Sequence, residues 1–220
     1  MEQATAEKSR FGLKRGEKSA IETRVEELRG IAKKEPEAAL EQTWDWFKDL
    51  GEQRAHAELD ELFALGKAPK GLDGRTDGIL VVPFIQGVLD RGVTGLAALM
   101  PLPWLGKRFD AANSRGDNLL RGAARVPVKA IWPRYKTEKV EGGRAAFDFE
   151  ARVEPGKHDP DTDVLVIDYA PVESNPDHLI RSIRDELVEI VPGANLGKIL
   201  YSTGEDEYRN LGFFALRPAE

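Results

Sequence analysis

Apolar side chains in the first 65 residues stand three and four positions apart, which is the spacing of amphipathic helices. Ser19 predicts the N-cap of a first helix, and the Glu35-Pro36 pair ends it because the residue before a proline avoids the helical region. Pro36 suits the first turn of a second helix, which stops near Gly51, and a third helix follows. The pattern predicts an N-terminal helical segment over 1–65.

From residue 70 onward the chain changes to short apolar runs separated by glycine, proline and aspartate. Such runs predict strands, at 79–84, 125–135, 144–153, 162–170, 197–203 and 207–216. Gly142-Gly143 predicts the turn of a hairpin between two of them.

One late segment differs from these runs. Between Asp177 and Ile190 the apolar residues fall on one helical face, and Arg181 and Asp185 form an i,i+4 pair on the other. The segment is therefore predicted to be a single late helix, ended by Pro192-Gly193.

Six to eight short, mostly antiparallel strands with turn signals between them favour a β-barrel or a sandwich. The predicted class is α+β. It has two parts, the helical segment 1–65 and a β-domain over 66–220 that carries the late helix.

Composition and charge argue against several classes of function. The 220 residues carry a net charge of −6 and lack cysteine, so there is no disulfide framework and a reducing compartment is favoured. No concentrated basic face suggests nucleic acid. The first twenty residues lack the apolar core of a signal peptide, and no uncharged run approaches the roughly 20 residues of a membrane span. We expect a cytoplasmic protein.

Metal and cofactor chemistry find little support in the sequence. The three histidines, His56, His158 and His178, form no ligand pair, so neither a zinc site nor a haem site is expected. The aspartates of 159–163 begin like a calcium loop, but the glycine and glutamate that should follow are missing. The glycine-rich stretch 71–78 precedes a strand, whereas a phosphate cradle precedes a helix. No cofactor is predicted.

The densest group of candidate residues is the run PLPWLGKRFD at 101–110. Lys107 and Arg108, at successive strand positions, point to opposite faces, so one would look into a barrel. The preceding uncharged run Gly92–Gly106 is either a buried helix with an irregular corner or a lid for an apolar ligand. The predicted ligand-binding residues are Met100, Trp104, Lys107, Arg108, Phe109, Trp132, Arg134 and Tyr135.

Asp168 and Tyr169 close an apolar strand and are the candidate catalytic residues. By alternation, Asp168 shares one face with Val166, while Tyr169 shares the other with Ile167. If the face with Asp168 and Val166 lines the barrel interior, Asp168 is a buried carboxylate suited to acid–base catalysis. Otherwise it caps the turn before Pro171.

Trp104-Leu-Gly-Lys-Arg-Phe109 resembles the WxGKxF segment of the bacterial GXWXG protein family, in which a companion domain of unknown function usually follows. Gly74-Arg-Thr-Asp-Gly78 has the spacing of the name motif, with Thr76 in place of its tryptophan. Further similar segments are Leu59–Leu65, Asp168–Pro171, Leu196-Gly197 and Phe213–Arg217. The resemblance implies a small calycin-type barrel, as in lipocalins and fatty-acid carriers, and carries over no catalytic residue.

These observations favour a carrier for a hydrophobic or amphipathic small molecule, lipid-, polyketide- or isoprenoid-like, held inside a barrel. An inward Lys107 or Arg108 would pair with a ligand carboxylate. One alternative is a cofactor-free isomerase, cyclase or hydratase that uses Asp168. Another is an interaction protein that docks or dimerises through the N-terminal helices, where Trp44, Trp46 and Phe47 occupy more than one side.

Overall fold

The computed structural model describes residues 18–83, 103–177 and 179–219. Three helices come first, as predicted: α1 (Ala20–Ala32), α2 (Pro36–Glu52) and α3 (His56–Ala64). Ser19 caps α1, since its hydroxyl accepts a hydrogen bond from the Glu22 backbone while the Glu22 carboxylate accepts one from the Ser19 backbone. Pro36 occupies the first turn of α2.

In the described residues, nine strands follow these helices, with one further α-helix among them. They are β1 (Gly74–Pro83), β2 (Trp104–Asp110), β3 (Arg115–Leu120), α4 (Arg125–Ile131), β4 (Glu138–Val140), β5 (Gly143–Pro155), β6 (Asp163–Asp168), β7 (Ile183–Val191), β8 (Ala194–Gly204) and β9 (Glu207–Pro218).

Eight of the strands close into an antiparallel barrel, which confirms the predicted α+β barrel class. Each of these strands pairs with its neighbour in the chain, β3 pairs with β5, and β1 pairs with β9 to complete the ring. The short β4 only lengthens the hairpin with β5, at the Gly142-Gly143 turn where a hairpin was predicted. Full closure leaves no unpaired edge in the ring.

Two apolar clusters lie on the two sides of the barrel wall. The inner one contains Phe109, Phe149, Ile167, Leu187 and Phe214. The outer one joins α1, α2 and α3 to outward-facing strand residues such as Val166, Val188 and Phe213. Trp44 and Phe47 of α2 are buried in this outer cluster, and Trp46 packs against it.

These three aromatic residues therefore dock the helices on the barrel of the same chain. The homodimer through the same helices stays a prediction. None of the helices in the described segments is long and apolar enough to cross a bilayer.

A buried cation ties α3 to the barrel. Lys198 of β8 is 2% exposed, and its ammonium group lies 2.8 Å from Asp60 of α3 and 2.6 Å from Asp159. The same group lies 4.5 Å from the centre of the Phe63 ring. Because a buried charge is tolerated only with partners, the loop at Asp159 and α3 are both held against β8.

The predicted late helix is wrong, because Ile183–Val191 is strand β7. Ile183, Asp185 and Leu187 face the interior, whereas Val188 and Ile190 belong to the outer cluster. A strand that is buried on both faces shows no polar alternation, so its apolar positions also fit a helical period. Arg181, which was predicted to pair with Asp185, pairs with Asp177.

The strand predicted at 125–135 is also wrong, since Arg125–Ile131 is α4. Val126 and Val128 alternate in sequence, but Val126 is 75% exposed and Val128 is buried. Pro127 falls in the first turn of α4, where backbone N–H groups have no partner within the helix and a proline is tolerated. Strand β3 was not predicted.

Candidate ligand-binding site

Four polar side chains meet inside the barrel in otherwise aromatic surroundings. Lys107 lies on β2 and Asn118 directly opposite it on β3. Asp185 lies on β7, and Tyr169 follows the last residue of β6. All four are at most 7% exposed. We refer to Lys107, Asn118, Tyr169 and Asp185 as the polar cluster.

The Lys107 ammonium group is the centre of the polar cluster. It donates to Asn118 Oδ1 at 3.0 Å, to the Tyr169 hydroxyl at 2.5 Å and to Asp185 Oδ2 at 2.9 Å. The Tyr169 hydroxyl in turn donates to the same carboxylate oxygen at 2.9 Å. All three protons of the ammonium group are therefore used.

Asn118 completes the network. Its Oδ1 also accepts from the Trp104 indole at 3.1 Å, and its Nδ2 donates to the Tyr169 hydroxyl and to the Phe147 carbonyl. Both hydrogen-bonding ends of the amide are filled. The other carboxylate oxygen of Asp185, Oδ1, accepts no hydrogen bond from any residue within 18–83, 103–177 and 179–219.

Four aromatic rings surround the ammonium group, with ring centres 5.2 to 5.8 Å from Lys107 Nζ: Trp104, Phe149, Tyr169 and Phe214. Three of these rings lie against glycines. A Cβ at Gly78 would lie 2.4 Å from the Trp104 ring, one at Gly116 2.4 Å from Phe149, and one at Gly197 2.2 Å from Phe214. The missing side chains leave room for rings that attract the cation.

Burial sets the electrostatics of the polar cluster. It lowers the pKa of the Lys107 ammonium group, and the adjacent Asp185 carboxylate only partly opposes this. Burial, followed by the Asp185 charge, raises the pKa of the Tyr169 hydroxyl well above its ordinary value, so that hydroxyl keeps its proton. Lys107 and Asp185 form a buried ion pair at 2.9 Å.

On one side of the polar cluster, several inward-facing apolar side chains are not fully buried. Cross-strand partners point to the same face of a sheet, so Leu80, opposite Phe214, and Ile199, opposite Asp185, both face inward. Leu80 is nevertheless 41% exposed, and Ile199, Tyr201 and Trp104 are only partly buried. We call Leu80, Trp104, Ile199 and Tyr201 the apolar mouth. It leads to the layer that holds Asp185.

Two adjoining clefts lie at the same end of the barrel, between the chain after α4 and residues 174–177. Their volumes are about 300 and 400 Å³, and both are lined by Arg134, Tyr135 and Ser174. The Tyr135 ring stacks on Phe147, with ring centres 5.2 Å apart, and burial raises the pKa of Tyr135 to about 12. Burial also raises the pKa of Asp148, which lines one cleft, and the negative charges of its neighbours raise it further.

The predicted ligand-binding residues divide into separate groups. Trp104, Lys107 and Phe109 lie inside the barrel, as does the predicted catalytic residue Tyr169. Arg108 points outward and pairs with Asp117 at 2.6 Å. The remaining members are Trp132, Arg134 and Tyr135, which line the clefts, and Met100, which lies outside the described residues.

The expectation that Asp168 faces the interior is not met. It shares the outer face with Val164 and Val166, and its carboxylate pairs with Arg152 at 2.8 Å and accepts from the Ala170 backbone. Asp168 therefore caps the strand end, which was the other reading of its sequence. The buried inward carboxylate is Asp185, which lies opposite Ile167, one position before the end of β6.

Sequence reasoning missed Asp185 and Asn118. Asp185 had been placed on the exposed face of a helix, and its signal was a charge with apolar residues two positions to either side, Ile183 and Leu187. Thr76, which replaces the tryptophan of the name motif, is fully buried. Its hydroxyl donates to the Lys107 carbonyl and accepts from the Lys107 N–H, so it holds the backbone of β2.

No cluster of metal-ligating side chains occurs in the part of the chain that the structure describes. His158 is an exposed loop residue whose ring nitrogen lies 3.0 Å from the Tyr208 carbonyl. His178 lies outside the described residues.

The chain thus forms a closed β-barrel with a buried ion pair inside it. No family model matches the sequence, and no curated protein is significantly similar to it. A crystal structure of a protein from Thermomonospora curvata is similar, with 17% identity and a TM-score of 0.44, over 78% of this chain and 99% of that chain. The similarity to the GXWXG family stays a prediction.

Proposed function

We propose that the barrel binds an amphipathic small molecule, lipid-, polyketide- or isoprenoid-like, through the apolar mouth. The observation that carries the proposal is the exposure of Leu80. A large apolar side chain that points into a barrel is expected to be buried, and this one is 41% exposed. An eight-stranded barrel is wide enough either to be filled by its own side chains or to hold one small ligand. The apolar part of the ligand would cover Leu80, Ile199 and Tyr201.

The position of the polar cluster supports the amphipathic character. Ile199 lies directly opposite Asp185, so a molecule that covers Ile199 reaches the carboxylate layer. Binding pockets typically combine apolar walls with a few polar groups that fix orientation. The polar end of the ligand would therefore contact the polar cluster.

Native mass spectrometry of the purified full chain, with organic extraction of any bound compound, tests the proposal. We expect a bound mass of a few hundred daltons, or uptake of a neutral apolar dye by the empty protein. Leu80→Trp should reduce dye affinity by at least about tenfold, because the indole would occupy the mouth. Val126→Trp is the matched control, since Val126 is exposed on α4. Equal dye affinity in the two variants and the wild type would contradict the proposal.

A second candidate function is an acid–base enzyme without a cofactor. The observation that favours it is the Tyr169 hydroxyl hydrogen-bonded to Asp185 beside the open layer, an arrangement that holds a transferable proton near a bound molecule. Tyr169→Phe removes that proton while leaving the ring. If the barrel is an enzyme, compounds extracted from wild type and from Tyr169→Phe should differ in chromatographic retention or mass. Identical compounds would indicate a carrier.

A further inference from the structure

We propose that the ligand's polar end is a neutral hydrogen-bond donor, a hydroxyl group, and neither a carboxylate nor an amine. The inference rests on the proposed binding function and names the chemistry of its ligand. It departs from the expectation that Lys107 pairs with a ligand carboxylate. Two observations support it: the charge balance of the polar cluster and the hydrogen bonds that the polar cluster has left to offer.

The charge of Lys107 is already balanced. Asp185 lies 2.9 Å away, and these are the only two charged side chains of the polar cluster. A carboxylate drawn in beside them would place a second negative charge next to Asp185, and an amine a second positive charge next to Lys107. Either would be an unpaired charge in a site shielded from water. Arg209, opposite Tyr201, is exposed to solvent and is not part of the polar cluster.

The hydrogen bonds point the same way. All three ammonium protons of Lys107 and both ends of the Asn118 amide are used, so the polar cluster has no donor free for an anion. Asp185 Oδ1 accepts no bond from the described residues, and Asp185 lies opposite the partly exposed Ile199. A hydroxyl donates one proton to this oxygen and adds no charge. The site thus selects an alcohol.

Three probes with the same chain test the inference: decan-1-ol, decanoate and decylamine. Each is titrated against the full chain loaded with neutral Nile red, at about pH 7, where the acid and the amine are both ionised. We expect decan-1-ol to displace the dye at a concentration at least about tenfold lower than either ion. Decanoate or decylamine binding as well as decan-1-ol would overturn the inference and leave the binding function standing. Failure of all three, together with failure of the dye, would overturn the binding function itself.

A pair of variants separates charge from shape. Asp185→Asn removes the counter-charge of Lys107, and decanoate can take its place if Lys107 gains a proton as decanoate binds. Decanoate should therefore gain at least about tenfold relative to decan-1-ol. The double variant, Lys107→Met with Asp185→Asn, has the same asparagine amide as the single variant but lacks the cation. It should therefore keep the preference for decan-1-ol. An unchanged preference in Asp185→Asn would contradict the charge argument. If that variant does not fold, the comparison of the three probes on the wild type decides the inference alone.

Discussion

Lys107→Met should be strongly destabilising, although methionine has nearly the same length and is apolar. The change deletes three hydrogen bonds, at 2.5 to 3.0 Å, and removes the cation that pairs with Asp185. Among the described residues, the carboxylate then keeps only the bond from the Tyr169 hydroxyl. Breaking one partner of a buried ion pair costs about 3–5 kcal/mol, because the other charge is left uncompensated. The Met sulfur recovers a small part of this through contact with the surrounding rings.

Replacing both partners should cost far less. Lys107→Met combined with Asp185→Leu leaves no charge in the polar cluster, where Tyr169 and Asn118 bond each other at 3.0 Å. We expect the double variant to lie within about 2 kcal/mol of the wild type, since apolar replacement of a buried pair is often neutral. The coupling free energy in the double-mutant cycle should therefore be large, at about 4 kcal/mol or more.

The assay is equilibrium unfolding in urea, followed by circular dichroism and by tryptophan fluorescence. Coincident transitions and equal slopes establish that the free energies of unfolding can be compared. Thr43→Ser removes one methyl group at a buried position of α2, outside the barrel, and serves as a control that should cost about 1 kcal/mol or less. Additive single effects, or a cost below about 1 kcal/mol for Lys107→Met, would refute the view that the pair forms one energetic unit.

Three further predictions concern pH and packing. In Asp185→Asn the burial that lowers the pKa of Lys107 loses its main opposing charge. Between that pKa and the unfolded value near 10.5 the unfolded chain binds the extra proton, so stability rises with pH. The variant's deficit in unfolding free energy should shrink from about pH 7 to about pH 9.5, and a constant deficit would argue against this. Gly197→Ala places a Cβ 2.2 Å from the Phe214 ring, so it should cost about 1–3 kcal/mol and lower the melting temperature. Gly30→Ala, where no atom lies within 4 Å of the new Cβ in α1, should stabilise by about 0.5–1 kcal/mol, and a loss would show that α1 tolerates no methyl group there.

Signals from residues close together in the sequence predicted the helix starts and the hairpin turn, which depend on neighbouring residues. Ser19 and Pro36 fixed the starts of two helices, because a cap and a first-turn proline act through neighbouring residues alone. The two-glycine turn at 142–143 likewise needs no distant partner. Short strands at regular spacing were enough to predict the barrel class, since antiparallel neighbours in the chain also became neighbours in the barrel.

The candidate site could be predicted only in part. Lys107 and Trp104 were selected because a cation and a large ring stood together in an apolar run. Asp168 was also selected as a charged residue in an apolar run. The alternation of side chains along a strand, however, does not tell which face of the strand lies inside the barrel. The structure decided it, because α1, α2 and α3 cover the face of Val166 and leave Ile167 and Tyr169 for the interior.

The sequence by itself determined the helices, the strand-rich class and one half of the ion pair. Only the tertiary structure decided the other half. Asp185 is 78 residues from Lys107 in the chain, and β2 and β7 are not neighbours in the sheet. Their side chains meet because closure of the barrel brings them together across its interior. A strand buried on both faces carries no alternation that could have revealed this in advance.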